Sequence, residues 1–238
     1  MRSGSISMTF DDGPDATWTR EVLAELRRCA ARATFFVLGE RASATPELLA
    51  RTVADGHEVA LHGHRHVRHT DLSELEIDAD TRAALAVLAE AGIRPTRWRT
   101  PWGICTPASV GVAERHGLEL VHWTLDTHDW RGDSPWQMLS VAAREMHDEA
   151  VVLMHDALGP GAARTGCAGT VALISPLCAL ARARGLQPGS LRENARGAGP
   201  GTHAGSLREN ARGAGAGTHG LARRLGGGGA CPTTRAAG

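Results

Sequence analysis

Short apolar segments alternate with longer amphipathic segments over residues 1–188. In the first amphipathic segment, Val22, Leu23, Leu26 and Cys29 fall on one stripe at the helical period. The longer segments predict helices at residues 19–32, 46–55, 72–91, 107–117, 135–147 and 169–185.

The short apolar segments predict β-strands at residues 5–10, 33–38, 58–61, 118–124 and 150–154. Regular alternation of strands and helices predicts βαβ units around a parallel sheet, either open or closed into a barrel. In both arrangements, side chains at the carboxyl ends of the strands converge on one face. Catalytic or ligand-binding residues are therefore expected directly after each strand.

Residues 189–238 differ from the rest of the chain in charge and in apolar content. They carry 7 Arg against 2 Glu, whereas residues 1–188 carry 19 Arg against 24 Asp and Glu. A direct 16-residue repeat begins at Gly189 and again at Gly205. Because this Gly- and Arg-rich tail has few large apolar groups to offset its ordering entropy, the sequence predicts a domain at 1–188 and a disordered tail. A basic tether for an acidic surface is the less favoured interpretation.

Composition excludes several classes of function. The 26 basic and 26 acidic residues cancel, so we expect no nucleic-acid partner that relies on a global positive field. No apolar run reaches 18 residues and the first twelve lack a secretory pattern, which predicts no membrane partner and a cytoplasmic location. Five cysteines without a CxxC pair argue against a disulfide scaffold or a cysteine zinc site. Every basic residue is arginine, so a carboxylated lysine is excluded.

Two adjacent carboxylates, Asp11 and Asp12, follow the first predicted strand and precede Gly13-Pro14. Adjacent carboxylates repel each other unless a cation or a proton lies between them. An Asp-Asp-Gly-Pro turn that caps the next helix explains the motif nearly as well. The motif alone therefore leaves a metal site and a turn open.

Five histidines lie within thirteen residues around the third predicted strand. His62 and His66 have the HxxxH spacing that lets two imidazoles reach one metal, and His62 and His64 form an HxH pattern. This density favours metal binding over a solvated loop, but it leaves open whether His64 or His69 joins the site. The five are His57, His62, His64, His66 and His69.

Three further polar motifs follow later apolar segments, around Arg99, Asp129 and His155. Arginine can hold a carboxylate by two parallel hydrogen bonds. A histidine at a strand end with a carboxylate partner is suited to general-acid catalysis. Each motif taken singly is equally consistent with a structural polar group.

In their order along the chain, the five motifs resemble those of the NodB-homology polysaccharide deacetylases, carbohydrate esterase family 4. The resemblance covers about residues 5–187, with Gly63 and Val67 where the family usually has a hydroxyl residue and proline. It implies an α/β fold, a distorted (β/α) barrel with fewer strands than the regular eight. It also implies a metal-dependent hydrolase that removes N-acetyl groups from an N-acetylated sugar or oligosaccharide.

The resemblance further implies one divalent metal held by Asp12, His62 and His66. Zn²⁺ is the default ion, and Co²⁺, Ni²⁺ or Mn²⁺ suit the same donors. Asp11 would be the general base, held by Arg99.

His155 would then be the general acid, oriented by Asp129. The remaining implied positions are those that contact the substrate: Trp102 through its backbone N–H, and Trp130 and Leu153 around the acetyl methyl group.

Three alternatives remain beside this interpretation, and no oligomeric state is predicted. The same fold and mechanism could act on a non-sugar N-acyl or O-acetyl compound. An HxH amidohydrolase using His62 and His64 is disfavoured because binuclear forms usually need a carboxylated lysine. A binding protein with a relict site would lack one of the motif residues, and none is missing.

Overall fold

The computed structural model describes residues 4–197. Eight strands and eight α-helices lie within this range, and most strands are followed by a helix. In chain order they are β1 (Gly4–Asp11), α1 (Trp18–Arg28), β2 (Thr34–Leu38), α2 (Gly39–Ala44), α3 (Pro46–Ala54), β3 (Glu58–Gly63), α4 (Glu74–Glu90), β4 (Arg97–Trp98), α5 (Pro107–His116), β5 (Glu119–Leu120), β6 (Leu125–Asp126), α6 (Pro135–Glu145), β7 (Ala150–His155), α7 (Ala168–Ala183), β8 (Leu186–Gly189) and α8 (Leu191–Gly197).

All strand pairings are parallel, in the order β5-β4-β3-β2-β1-β7-β6, and β8 pairs with the first half of β1. The hydrogen-bonded path ends at β5 on one side and at β6 on the other. Within residues 4–197 the sheet is therefore an open half-barrel surrounded by helices. The predicted distorted (β/α) barrel is confirmed, but the sheet has eight strands rather than fewer than eight, because β8 adds a pairing to the first half of β1.

The core lies between the central strands and the helices packed on their outer face. Ile6, Met8 and Phe10 of β1 are fully buried against an apolar stripe of α1 that includes Val22 and Leu26. Burying one such side chain contributes about 1.5–3 kcal/mol, so the β1–α1 layer anchors the fold. Within the described range, no helix is both long and apolar enough to cross a bilayer.

The strand predicted at 118–124 is much shorter in the structure, where β5 covers only Glu119–Leu120. The chain leaves the sheet there because the carbonyl oxygens of Val121 and His122 turn to accept hydrogen bonds from the Arg99 side chain. The two-residue strands β4 and β6 and the short helix α2 were not predicted, since segments of that length carry no readable period.

Regular secondary structure continues past residue 188, where the sequence predicts the domain to end. Gly189 ends β8, and α8 packs its first residues onto the barrel. The tail is poor in apolar groups, but specific polar contacts and one buried leucine hold this part of it, as described below. The disorder predicted for residues 198–238 concerns a segment outside the described residues.

Candidate metal centre and active site

The residues singled out by sequence converge at the carboxyl ends of the strands. Asp11 ends β1, His62 lies near the end of β3, and His155 ends β7. Asp11 and His155 are register partners across the β1–β7 pairing, so they lie side by side at the strand tips. They border a cleft of about 400 Å³.

Asp12, His62 and His66 point their ligand atoms at one another. The Oδ1 atom of Asp12 lies 3.3 Å from Nε2 of His62 and 3.1 Å from Nε2 of His66, and the three ligand atoms lie within 4.8 Å of one another. Nδ1 of His62 is 2.7 Å from the carbonyl oxygen of Arg99. Because a carbonyl only accepts, Nδ1 carries a proton and donates it to this carbonyl, which leaves Nε2 as the nitrogen that faces Asp12.

This donor set fits a divalent metal. Burial raises the pKa of Asp12, but the imidazoles of His62, His66 and His155 outweigh burial and hold the pKa well below its usual value, so the carboxylate is ionised. A divalent cation would take the place of the imidazole hydrogen bonds to Asp12, because it binds the same carboxylate oxygen and the two Nε2 atoms. A tetrahedral ion with bonds of about 2.0–2.1 Å separates its ligands by about 3.4 Å, close to the spacings seen here. One carboxylate and two imidazoles also leave coordination positions open.

Asp11 is held in place by Arg99, which follows β4. Nη1 of Arg99 donates to Oδ1 of Asp11 at 2.7 Å and to Oγ1 of Thr9 at 2.8 Å. The guanidinium also stacks 4.2 Å from the ring centre of Phe36. Arg99 is 1% exposed, so its charge is little screened and its attraction to the Asp11 carboxylate is strong. The other Asp11 oxygen, Oδ2, is not used in this ion pair.

His155 is paired with Asp129 on the opposite side of the cleft. Nδ1 of His155 lies 2.7 Å from Oδ1 of Asp129, and the backbone N–H of His155 donates to Oδ2 at 2.9 Å. Burial lowers the pKa of His155, but Asp129, with smaller contributions from Asp12 and Asp11, raises it to about 9. At neutral pH the imidazole is therefore protonated, as a general acid must be.

Comparison with known proteins identifies the family of this chain. The family model described as polysaccharide deacetylase matches residues 1–121. A chitooligosaccharide deacetylase from a Bradyrhizobium species is 36% identical over 168 residues, covering 68% of this chain and 74% of the relative. The chain belongs to the polysaccharide deacetylase family.

Further members of the family show the same likeness. A peptidoglycan-N-acetylglucosamine deacetylase from Listeria monocytogenes is 36% identical over 152 residues, which are 63% of this chain but 32% of that longer protein. The solved structure of a family 4 carbohydrate esterase from Streptomyces lividans, in complex with acetate, superposes with a TM-score of 0.71 at 31% identity. It covers 78% of this chain and 92% of that chain.

The residues with implied substrate contacts line the cleft in this family member. Trp102 has a left-handed backbone (φ 54°), and its ring packs edge-on against His66 with ring centres 4.0 Å apart. Trp130 is 39% exposed, and Leu153 is buried at the cleft floor. Trp123, which the sequence analysis missed, lines the same cleft. Its place is fixed by Gly103, where a Cβ atom would meet the indole at 2.5 Å.

The remaining histidines lie outside the metal cluster that the structure describes. His64 is tied through its backbone N–H to Asp80. His69 is buried beside Trp98 with Nδ1 2.8 Å from Oγ of Ser109, and burial lowers its pKa to about 4. Among the described residues, neither side chain lies in the cluster of Asp12, His62 and His66.

Sequence analysis also missed two residues that fix Asp129. Nη1 of Arg164 lies 3.0 Å from Oδ2 of Asp129, and Nη2 donates to the carbonyl oxygen of His155 at 3.2 Å. The hydroxyl of Thr170, at the start of α7, donates to the same Oδ2 at 2.7 Å. Burial raises the pKa of Asp129, but the charges of His155 and Arg164 outweigh burial and keep the pKa below its usual value.

Thr170→Val should lower kcat about tenfold with little change in KM, because one hydrogen bond to a buried carboxylate is lost while the volume is kept. The measurement is steady-state acetate release. Thr52→Val is the matched control, since Thr52 is also a buried helical threonine but bonds only to the Leu48 carbonyl. Equal losses in both variants would mean that Thr170 acts only on stability.

Asp80 of α4 steadies the loop that carries His66. Its carboxylate accepts hydrogen bonds from the backbone N–H groups of His64 at 2.7 Å and Arg65 at 3.3 Å. Gly63, at the start of this loop, has φ 136°, and a Cβ atom there would meet the Arg65 carbonyl at 3.0 Å. The Asp80 carboxylate therefore holds this loop through two backbone hydrogen bonds.

Asp80→Ala should weaken metal binding by about 10–100-fold, the usual cost of removing a group that orients a ligand loop. Competition with a chromophoric chelator measures this affinity. Asp78→Ala is the control, because Asp78 lies on the same helix but pairs with Arg115 and His116. An unchanged affinity in Asp80→Ala would show that the loop is rigid without the carboxylate.

Proposed function

We propose that this chain is a metal-dependent deacetylase that hydrolyses the N-acetyl groups of an N-acetylated sugar or oligosaccharide. The observation that carries the proposal is one cleft in which a candidate metal cluster lies between an arginine-held carboxylate and a carboxylate-held histidine. The names of the relatives, which act on chitooligosaccharides and on peptidoglycan N-acetylglucosamine, support the sugar substrate.

The chemistry requires a stronger nucleophile than neutral water and a protonated leaving group. A divalent ion held by Asp12, His62 and His66 would polarise the acetyl carbonyl and activate the attacking water. Asp11 would accept the proton of that water through Oδ2, because Arg99 occupies Oδ1.

Collapse of the tetrahedral intermediate requires a proton on the departing nitrogen, since an amine anion is a very poor leaving group. The His155 imidazolium would supply this proton from Nε2, because Nδ1 is engaged with Asp129. The backbone N–H of Trp102 would stabilise the developing oxyanion, where one such donor is typically worth about 3 kcal/mol.

Sugar binding is proposed to involve the indole rings that line the cleft. Trp102, Trp123 and Trp130 offer flat apolar faces of the kind that stack on pyranose rings. We propose Zn²⁺ as the resident ion, since imidazole and carboxylate donors with open positions suit zinc.

Acetate release across a substrate panel tests the proposed function. The chelated protein, reloaded with Zn²⁺, Co²⁺, Ni²⁺ or Mn²⁺, is offered N-acetylglucosamine oligomers of increasing length, acetylated amines and O-acetyl compounds. We expect metal-dependent acetate release from the sugar oligomers. Release only from the non-sugar compounds would favour the alternative substrate class, and metal binding without any hydrolysis would refute the enzyme assignment.

A further inference from the structure

The first copy of the sequence repeat closes the base of the half-barrel, on the side away from the cleft. Gly189 pairs with Ser7 at the end of β8, and α8 then begins at Leu191. Leu191 is 9% exposed and packs against Phe36 and Ala60 inside the barrel. We call the surface that receives this segment the base socket, formed by Ser7, Arg32, Thr34, Phe36, Glu58 and Ala60.

Backbone N–H groups of the segment donate hydrogen bonds to buried polar side chains at the amino ends of β2 and β3. The N–H of Leu191 donates to Oγ1 of Thr34 at 3.0 Å, and the N–H of Arg192 donates to Oε2 of Glu58 at 2.8 Å. Thr34 and Glu58 are 0% and 3% exposed, and each would lose one N–H donor if the segment left, while the Thr34–Glu58 bond at 2.9 Å and the Arg97–Glu58 pair at 2.6 Å would stay. These two lost bonds favour an occupied base socket.

Two side chains of the segment make specific polar contacts with the base socket. Nδ2 of Asn194 donates to Oγ of Ser7 at 2.8 Å, and Glu193 pairs with Arg32 at 2.6 Å. Glu193 also accepts a hydrogen bond from the backbone N–H of Ser190, and its own N–H donates to the Ser190 hydroxyl, which is a capping box that starts α8. Together these contacts use the residue order Ser-Leu-x-Glu-Asn, found at residues 190–194.

The second copy of the repeat carries the same order. Residues 189–204 read GSLRENARGAGPGTHA and residues 205–220 read GSLRENARGAGAGTHG, with 14 of 16 positions identical. Ser206, Leu207, Glu209 and Asn210 correspond to the four contact residues of the first copy. The chain thus contains two segments whose residues could make the same contacts, but it has one base socket.

We propose that the base socket is a peptide-binding site that accepts either copy, residues 190–194 or residues 206–210 of the same chain. The copies are offset by 16 residues and are separated by the 11 residues 195–205, a connection that gives an effective concentration in the millimolar range when flexible. Loop-closure entropy grows only slowly with length, so inserting 16 residues between β8 and the base socket adds a modest cost. A segment from the same chain therefore outcompetes one from another molecule at micromolar protein.

Thermal unfolding of three full-length variants tests this exchange. Leu207→Asp alone leaves Tm unchanged, because the first copy fills the base socket. Leu191→Asp lowers Tm by a few degrees, because the second copy replaces the first at the cost of a longer loop. The double variant loses about 5–15 °C, because neither copy can bury its leucine. If the aspartate variants do not fold, alanine replaces aspartate at both positions in the same comparison.

Equal Tm values for Leu191→Asp and for the double variant would overturn the proposal, as would an unchanged Tm in all three. A Leu191→Asp protein that forms dimers and gains stability with concentration would overturn it too, because the occupant would then come from another molecule.

A cross-link gives a second readout that does not depend on Tm. In the Leu191→Asp background, Ser7→Cys and Asn210→Cys should form a disulfide within one chain on addition of oxidised glutathione, which is reduced as the two thiols are oxidised. Peptide mass spectrometry detects the pair. Adding Leu207→Asp should abolish the pair, and failure of the disulfide to form before that change would refute the exchange.

Discussion

Asp11→Asn lowers kcat for acetate release by about 10²–10⁴-fold while bound metal stays near one ion per chain. The amide cannot accept the proton of the attacking water, but the metal donors are Asp12, His62 and His66, which this change leaves in place. The measurements are steady-state kinetics and elemental analysis of the dialysed protein.

Asp71→Asn serves as the matched control, since this exposed carboxylate lies in the turn before α4 and away from the cleft. It should retain full activity. Loss of the metal together with activity in Asp11→Asn would show that Asp11 is a ligand, so the division of roles between the two adjacent carboxylates would be wrong.

His155→Gln should lower kcat on N-acetyl substrates by about 10²–10⁴-fold but reduce hydrolysis of an activated aryl acetate much less. An amine leaving group requires a proton, whereas a nitrophenolate departs without one. The ratio of the two losses is therefore a direct measure of general-acid catalysis. Equal losses on both substrates would contradict that role.

The pH dependence of the wild-type enzyme follows from the same residue. The pKa of His155 is raised above its ordinary value to about 9, so the imidazolium is present at neutral pH and is lost as pH rises through that value. A metal ion nearby repels the imidazolium and moves this limb to lower pH. We expect kcat to fall with rising pH at or below about pH 9, and His155→Gln to lack this limb.

The sequence predicted the polar residues at the carboxyl ends of the strands, because parallel pairing brings residues that are distant along the chain close together in space. Asp11 and His155 are 144 positions apart, yet parallel pairing of β1 with β7 makes them neighbours. The metal cluster follows the same rule, since His62 and Asp12 also lie at strand ends. Most residues of the candidate site could therefore be found as polar motifs that directly follow predicted strands.

Residues that support the site from within helices or bends could not be recognised from the sequence, because they do not follow a strand. Asp80 lies within α4 and Thr170 at the start of α7, where an isolated polar residue reads as an ordinary helical one. Trp123 lies at the bend between β5 and β6, which apolar patterning described as a continuous strand. The base contacts of α8 were missed because low apolar content predicted disorder, although Leu191 and a few hydrogen bonds suffice to dock the segment.

The most direct test of the central claim is an anomalous-scattering map from a crystal of the zinc-loaded protein. The account predicts one peak bonded to a carboxylate oxygen of Asp12 and to Nε2 of His62 and His66, with the Asp11 carboxylate beside it but held by Arg99. A peak coordinated by His64 or His69, or no peak between Asp12 and the two histidines, would contradict it.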